Sequence, residues 1–334
     1  MKLLVIGGSQ FVGRHLVEQA LARGDQVTVF NRGQTAAALP LGAEQRRGDR
    51  KGDLAALAEG RWDAVVDTCG YLPRDVARMA SGLQGRVARY VFVSSISVYA
   101  GFEQVNHEGS ALGCIDDADT DVIDARTYGP LKALCEQAVV AAYGDGATLI
   151  RPGLIVGPHD PSQRFTYWPA RVARAADGES VLAPGTPADG IQVIDVRDLV
   201  AFMLRAIDDG RSGAYNLTCP PNTLTMGALL QACAEAAGRQ PRWVWTTAAE
   251  LERLDLSAWS DLPVWLPAEG EHAAFALADT RAAQAAGLQI RPLAQTVADT
   301  LAWYRTLAAE QQAFTKAGLS PEREAAALAA LLRR

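Results

Sequence analysis

The chain opens with MKLLVIGGSQFVGRHL, residues 1–16, in which a short apolar run leads into a glycine-rich turn and then a helical pattern. The unbroken apolar run Leu3–Ile6 is typical of a strand that is buried on both faces. Apolar residues then recur with helical spacing over Phe11–Arg23, and Gly24 follows as a helix-ending residue. The stretch therefore predicts a strand, a tight turn and a helix.

The same alternation of strand and helix continues through the first half of the chain. Further strands are predicted at Gln26–Phe30, Ala64–Val66, Tyr90–Val93 and Ala147–Ile150, and further helices from Pro73 and over Tyr128–Ala142. Short apolar strands that alternate with amphipathic helices are typical of parallel sheets with right-handed crossovers. The predicted fold class is therefore α/β, a Rossmann-type doubly wound parallel sheet.

The glycine turn has the features of a phosphate-binding site. A helix that starts directly after a buried strand presents unpaired N–H groups and a positive dipole to an anion. Gly7 and Gly13 stand where the turn must be tight and the helix close to the strand, and Gly8 adds freedom beside the turn. Gln10 replaces a middle glycine, but at negative φ its N–H can still face a phosphate beside Phe11. We expect a dinucleotide here; a tight turn without a ligand is the alternative.

The residues after the second strand bear on the choice of nicotinamide cofactor. An NAD-preferring site usually carries an acidic residue there, whereas this chain has Asn31 and Arg32. Arg32 can meet a 2′-phosphate, and Asn31 can hydrogen-bond the ribose without repelling it. The sequence therefore favours NADP(H), with NAD(H) as the alternative. Arg32 could instead be a solvated loop cation.

The segment Tyr128-Gly-Pro-Leu-Lys132 places a tyrosine and a lysine on one face of a predicted helix. A nearby ammonium group favours phenolate, so we expect Lys132 to lower the pKa of Tyr128 towards the working range of an acid/base. Upstream, SSISVY follows the strand at Tyr90–Val93 and places Ser95 at the carboxyl end of the sheet, where α/β proteins bind ligands. Its hydroxyl can hydrogen-bond a substrate carbonyl or alcohol.

Taken in order, the glycine turn, SSISVY, YGPLK, IRPGLIVGP and VIDVRDLV resemble the extended short-chain dehydrogenase/reductase family. The glutamine in the turn resembles an atypical branch, and the whole is similar to NAD-dependent epimerases and dehydratases. The resemblance covers about residues 1–215. It implies catalytic roles for Ser95, for Tyr128 as acid/base and for Lys132 as its partner, which would also hold the cofactor ribose.

The same resemblance implies further cofactor contacts and an assembly. Asp49 would approach the adenine, Thr68 and Cys69 would flank the nicotinamide ribose, and the segment from Arg151 would pass beside the nicotinamide. Members of this family often dimerise through two helices, one of which carries the tyrosine and lysine. A homodimer is therefore expected.

The composition changes after Arg151, where Pro and Gly become frequent and Trp243, Trp245, Trp259 and Trp265 cluster. These rings could cover a substrate or pack in a core. We predict a dinucleotide-binding domain over 1–155 and a smaller C-terminal, mainly substrate-binding region over 156–334, with 191–217 returning to the first domain.

Composition and charge limit the partners and the compartment. With 49% hydrophobic residues, 21% charged residues and a net charge of −6, the chain has a globular composition and is an improbable nucleic-acid binder. Five scattered cysteines suit a reducing cytoplasm, and LLVI is shorter than the apolar core of a signal peptide. No apolar run approaches the ~20 residues of a membrane span. We expect a cytoplasmic protein with a small-molecule substrate, no membrane partner and no metal.

Three functions remain open at this point. The first is an NAD(P)-dependent oxidoreductase that transfers hydride between nicotinamide and a carbonyl or secondary alcohol. The second is a nucleotide-sugar epimerase or dehydratase, although Gly190–Gln192 stands where such enzymes usually carry an arginine for the diphosphate. Arg164, Arg171 and Arg174 could substitute for it or be solvated charges. The third is a non-catalytic NADP- or RNA-binding relative.

Overall fold

A seven-stranded parallel sheet forms the centre of the protein. The structure is a computed structural model that describes residues 1–34, 38–52 and 54–333. The strands are β1 Lys2–Ile6, β2 Gln26–Asn31, β3 Glu44–Arg47, β4 Trp62–Asp67, β5 Val87–Val93, β6 Ala147–Pro152, β7 Leu154–Val156, β8 Ser180–Pro184, β9 Gly190–Ile191, β10 Val193–Asp195, β11 Gly213–Leu217, β12 Leu224–Thr225 and β13 Arg242–Thr246. In the main sheet their order is β3-β2-β1-β4-β5-β6-β11. Every pair in this sheet is parallel.

Helices cover both faces of this sheet. The α-helices are α1 Phe11–Ala22, α2 Pro73–Leu83, α3 Tyr128–Tyr143, α4 Tyr167–Arg174, α5 Val196–Asp208, α6 Met226–Ala237, α7 Ala248–Arg253, α8 Arg281–Ala285, α9 Leu293–Thr306 and α10 Pro321–Leu332. Helices α1 and α5 pack on one face, where Leu3 and Val5 point, and α2 and α3 pack on the other, where Leu4 and Ile6 point. Burial on both faces explains why β1 is an unbroken apolar run.

The predicted doubly wound α/β fold is confirmed, and its strand order defines where a ligand can bind. From β1 the chain moves to β2 on one side, and from β4 it moves to β5 on the other. At such a switch point the connections diverge and leave a crevice at the carboxyl ends of the strands. The turns after β1, β4 and β5 all open at this edge.

Strand β3 was missed in the sequence because its residues, Glu44–Arg47, are all polar. It pairs only with β2 and forms one edge of the sheet, so neither of its faces has to be apolar. At the other edge, β11 lies beside β6. Part of the 191–217 segment therefore belongs to the main sheet.

The C-terminal half builds a second hydrophobic core. Helices α4, α6, α9 and α10 pack there around the parallel pair of β8 and β13. Trp243, Trp245 and Trp265 belong to this core, and the Trp265 Nε1–H donates to Asp189 Oδ2 at 2.7 Å. Core packing is thus the role of three of the four clustered tryptophans. Of the helices in the described part of the chain, none has both the length and the hydropathy needed to span a membrane.

Replacement of Gly13 by alanine tests how tightly α1 packs on the turn. The new Cβ would lie 2.6 Å from the Gly8 nitrogen and 2.7 Å from its Cα, both of which are backbone atoms. We expect Gly13→Ala to lower the free energy of unfolding by about 1–3 kcal/mol, measured by urea denaturation. Gly190→Ala is the control, since a Cβ there meets no atom within 4 Å. Equal effects of the two substitutions would contradict this account.

Candidate active site

The glycine turn lies at the carboxyl end of β1, next to the turn that follows β4. Gly7 has a φ of 107°, and a Cβ on it would lie 2.5 Å from Thr68 Oγ1. Thr68 in turn donates its hydroxyl to the Ile6 carbonyl oxygen at 2.8 Å. Gly13 brings α1 against the backbone of Gly8. The glycines therefore stand where both the conformation and the close packing exclude a side chain.

Gln10 and Phe11 join this turn to helix α1. Gln10 precedes the helix with a φ of −133°, the negative value that a residue with a Cβ needs here. Its side chain is exposed. Phe11 is half-buried, and its ring lies edge-on to His15 with 6.4 Å between the centroids. The unusual backbone at the helix start thus falls on Phe11, which has a φ of 30°, and not on Gln10.

Asn31 organises the turn at the end of β2. Its Nδ2 donates to the Gly7 carbonyl oxygen at 3.2 Å, and its Oδ1 accepts from the Gly33 N–H at 3.0 Å. Arg32 beside it is exposed and forms no ion pair with any described residue. Arg47, which sequence reasoning missed, is paired with Asn31 across β2 and β3. Two cations, Arg32 and Arg47, thus stand where an NAD-preferring site carries an acid.

A buried ion pair fixes the end of β4. Both carboxylate oxygens of Asp67 accept from Arg50 at 2.8 Å, and Asp67 also accepts from the Tyr90 hydroxyl at 2.8 Å and the Cys69 N–H at 3.1 Å. Burial alone would raise the pKa of Asp67, but the cation and these donors lower it. Asp49, which precedes Arg50, accepts from the Lys51 N–H through its Oδ1 at 2.9 Å. In the sequence, the only indication of a role for Arg50 was its place beside Asp49 in RRGDR. Its ion-pair partner, Asp67, is distant in sequence.

The predicted catalytic residues meet beyond β5. Ser95 caps the turn Ile96–Val98, with its Oγ accepting from the Ser97 N–H at 3.0 Å, and Tyr128 is the first residue of α3. Burial raises the pKa of Tyr128, and the Ser95 hydroxyl and the Arg164 guanidinium oppose that rise. The expected lowering of this pKa by Lys132 is therefore corrected: the net shift is upward.

Lys132 lies below Tyr128 on α3, and its ammonium group points into the protein. Its Nζ donates to the carbonyl oxygens of Gly70 at 2.8 Å and Val93 at 2.6 Å, and it lies 4.2 Å from the centroid of the Phe92 ring. Burial lowers the pKa of Lys132 to about 8. An ammonium group has three N–H donors, so one remains beyond these two carbonyls for a further partner.

Arg151, which was expected among the cofactor contacts, has its partners within the protein. Its guanidinium is buried and binds Glu136 of α3 through Nε at 2.9 Å and Nη2 at 2.7 Å. Nη1 donates to the Tyr99 hydroxyl at 3.2 Å and to the Glu108 carbonyl oxygen at 3.0 Å. The side chain therefore ties α3 to β6 and leaves its nitrogens engaged within the protein.

Breaking this ion pair should destabilise the protein. Arg151→Met would leave the buried Glu136 carboxylate without its cation, and we expect a loss of about 3–5 kcal/mol in the free energy of unfolding. Denaturant titration measures it. The double variant Glu136→Gln/Arg151→Met should recover part of the loss. A variant of unchanged stability that bound a dinucleotide less tightly would instead support the cofactor contact.

The three arginines considered for a substrate diphosphate lie in different surroundings. Arg171 is buried and bound to Glu324 at 2.5 Å and Glu179 at 2.9 Å, and Arg174 lies over the Phe314 ring at 5.9 Å. Arg164 alone of these acts electrostatically on Tyr128. Gln192, in the segment where the diphosphate arginine was sought, is buried and bonds Ala278 and the Cys219 carbonyl oxygen.

Comparison with known families identifies this arrangement. Residues 64–218, which include the segments carrying Thr68, Ser95, Tyr128 and Lys132, match the model of the NAD dependent epimerase/dehydratase family. These residues make up just under half of the chain, and over them the resemblance to this family that the sequence predicted is confirmed.

Curated relatives differ in what they do. The chain is 26% identical to the chloroplast stem-loop binding protein of 41 kDa b from Arabidopsis thaliana over 260 residues, which cover 71% of this chain and 63% of that protein. It is 30% identical to the 2-alkyl-3-oxoalkanoate reductase of Stenotrophomonas maltophilia over 178 residues, 48% of this chain and 52% of the relative. The chain thus spans less than two thirds of the length of these two relatives.

Solved structures show the same fold over nearly the whole chain. UDP-glucose 4-epimerase from Thermotoga maritima, solved with UDP-glucose, matches with a TM-score of 0.66 at 18% identity, covering 91% of this chain and 99% of that one. MoeE5, solved with UDP-glucose and NAD, matches with a TM-score of 0.62 at 22% identity and the same coverage. At these identities the likeness concerns the fold.

The residues at the carboxyl edge fit a nicotinamide dinucleotide. There is no room for a side chain at Gly7 or Gly13, and helix α1 begins directly after the turn, at Phe11. Lys132 retains an N–H donor. Thr68 and Cys69 pack beside Gly7 and directly precede Gly70, whose carbonyl oxygen Lys132 binds. Among residues 1–34, 38–52 and 54–333, no group of three or more His, Cys, Asp and Glu side chains is arranged to hold a metal ion.

Proposed function

We propose that the protein is an NAD(P)-dependent oxidoreductase that interconverts a carbonyl and a secondary alcohol on a small molecule. The observation that carries this proposal is the convergence of Ser95, Tyr128 and Lys132 at the sheet edge that also holds the glycine turn. The family supports a nicotinamide cofactor.

The chain's own residues would handle the substrate oxygen and its proton. When bound, the nicotinamide ring supplies or accepts the hydride. The Ser95 hydroxyl orients the carbonyl oxygen, and Tyr128 donates a proton to that oxygen as an alkoxide forms. In the ligand-free protein Tyr128 keeps this proton, because burial raises its pKa. Lys132 would hold the cofactor ribose with its remaining N–H. Alcohol oxidation reverses these transfers.

A nucleotide-sugar epimerase is the second candidate. Its support is the fold match to UDP-glucose 4-epimerases over about nine tenths of the chain. The buried Gln192, bonded to backbone groups, counts against it because no guanidinium stands in that segment to meet a diphosphate. We therefore favour a small carbonyl compound, the class to which the 3-oxoalkanoate in the name of one relative belongs.

Tyr128→Phe tests the acid/base role. Removing the hydroxyl eliminates the proton donor, so we expect kcat for carbonyl reduction to fall by about 100- to 10,000-fold. Loss of reduced-nicotinamide absorbance with a panel of ketones and UDP-sugars measures it, and dinucleotide affinity should not change. Tyr215→Phe is the matched control, because that ring packs on Phe202 away from the site. Full turnover by Tyr128→Phe would refute the assignment.

We also propose that the cofactor is NADP(H), with NAD(H) as the alternative. Arg32 is exposed at the end of β2 and Arg47 stands beside Asn31, and neither forms an ion pair with a described residue. A guanidinium fork matches a phosphate group in shape and charge. Several of the matched structures were solved with NAD, which keeps the alternative open.

Arg32→Ala tests this choice of cofactor. Loss of a charge-assisted contact to the 2′-phosphate should weaken NADPH binding by about 10- to 100-fold and leave NADH binding within about twofold. Fluorescence titration of both cofactors measures it. Arg61→Ala is the control, because Arg61 precedes β4 at the opposite edge and bonds the Gly85 carbonyl oxygen. An unchanged NADPH affinity in Arg32→Ala would eliminate the phosphate contact.

Two further expectations belong to this proposal. We infer a cytoplasmic homodimer that pairs through two helices, one of which is α3, where Val140 is an exposed apolar residue. The stem-loop binding relative supports an RNA-associated function as a third candidate. A net charge of −6 opposes that function.

A further inference from the structure

Arg164 of the substrate region forms no ion pair with a described residue. It lies in the loop between β7 and α4, where it is half-buried, and its guanidinium carbon stands 5.5 Å from the centroid of the Trp259 ring. Asp160 in the same loop accepts from the Ser162 N–H and hydroxyl, and the Arg164 charge helps to lower its pKa against the rise from burial. By contrast, Arg171 on α4 is neutralised by two glutamates.

Arg164 stands at one end of an aromatic wall that begins beside the catalytic serine. Trp259 packs edge-on to Phe275 at 5.3 Å, and Phe275 packs edge-on to Phe102 at 5.1 Å. Phe102 packs in turn against the turn that follows Ser95. All three rings are half-buried. The wall therefore runs from the catalytic serine to an unpaired cation.

Arg164 also acts on a residue of the proposed catalytic set. Its positive charge opposes the rise that burial causes in the pKa of Tyr128, as the Ser95 hydroxyl does.

The two loops that bring Arg164 and Trp259 together are rigidly held. The Gln163 amide oxygen accepts from the N–H groups of Thr315 and Lys316 at 2.9 and 3.0 Å, and its nitrogen donates to Ala313 at 2.8 Å. Gln163 has a φ of 64° and Trp259 one of 68°. Non-glycine residues keep such left-handed conformations where the surroundings determine them, which is common at ligand sites.

On the basis of the proposed carbonyl chemistry, we infer that Arg164 binds an anionic group of the substrate, a carboxylate or a phosphoryl group, against Trp259. A guanidinium forms paired, charge-assisted hydrogen bonds with either anion. The ring beneath it keeps the planar group oriented and free of competing hydrogen bonds. The substrate is then a carbonyl compound with a negative charge at the far end of the aromatic wall.

Matched pairs of carbonyl compounds test this inference. Acetoacetate is compared with ethyl acetoacetate, and dihydroxyacetone phosphate with dihydroxyacetone, for reduction by the wild type, Arg164→Ala and Arg174→Ala. We expect Arg164→Ala to lower kcat/KM by about 10- to 100-fold for the anion of one pair and to leave its neutral twin within about twofold. The pair of compounds in which the anion is affected shows whether the site binds a carboxylate or a phosphoryl group.

Arg174→Ala is the matched control, since Arg174 also lies over an aromatic ring but acts on residues of the second core. It should leave all four rates unchanged. The inference would be overturned if Arg164→Ala lowered kcat/KM equally for an anion and its neutral twin. It would also be overturned if the wild type reduced neither anion with a higher kcat/KM than its neutral twin.

Calorimetric titration of the same two anions into the cofactor-loaded protein separates this inference from the proposed function. Binding that depends on Arg164 without any turnover would contradict the proposed oxidoreductase and support the anion site. If neither anion binds in an Arg164-dependent manner, the anion site is wrong, whatever the turnover of neutral ketones.

Discussion

The close approach of helix α1 to the end of β1 is the constraint on which the rest of the site depends. A Cβ at Gly13 would overlap the backbone of Gly8, and a Cβ at Gly7 would overlap the Thr68 hydroxyl. The start of α1, the turn after β1 and the turn after β4 are therefore held within van der Waals contact. The residues proposed to bind the cofactor, around this turn, and those proposed to be catalytic, beyond β5, consequently lie at one edge of the sheet.

Cations in this protein fall into two groups with different roles. Lys132 and Arg151 are buried and Arg50 is half-buried, and each binds a carboxylate or carbonyl oxygens at the carboxyl edge of the main sheet. They hold the ends of β4, β5 and β6 in place, and removing one would leave a buried partner unpaired. Arg32 and Arg164 are accessible and form no ion pair with described residues. Arg32 follows β2, and Arg164 lies between β7 and α4.

Much of the sheet and part of the site follow from local pattern. The apolar run at Leu3–Ile6, the helical spacing after Phe11 and the pair Tyr128 and Lys132 predict elements that the structure contains. These signals are local because burial on both faces, helical periodicity and glycine turns each produce a recognisable pattern within a short stretch of sequence. Strand β3 and the short strands of the C-terminal half have no such local pattern, and they could not be predicted because their pairing partners are distant in sequence.

The sequence by itself determined the doubly wound sheet, the glycine turn and the chemical types of the catalytic residues, because each depends on residues within a few turns of one another. Only the tertiary structure decided which charges are engaged. Arg151 pairs with Glu136 and Arg50 with Asp67, whereas Arg164 forms no ion pair with a described residue. The tertiary structure also decided that burial outweighs the Ser95 hydroxyl and the Arg164 charge in setting the pKa of Tyr128. Desolvation and ion pairing depend on which distant segments cover a group, and no local pattern records that.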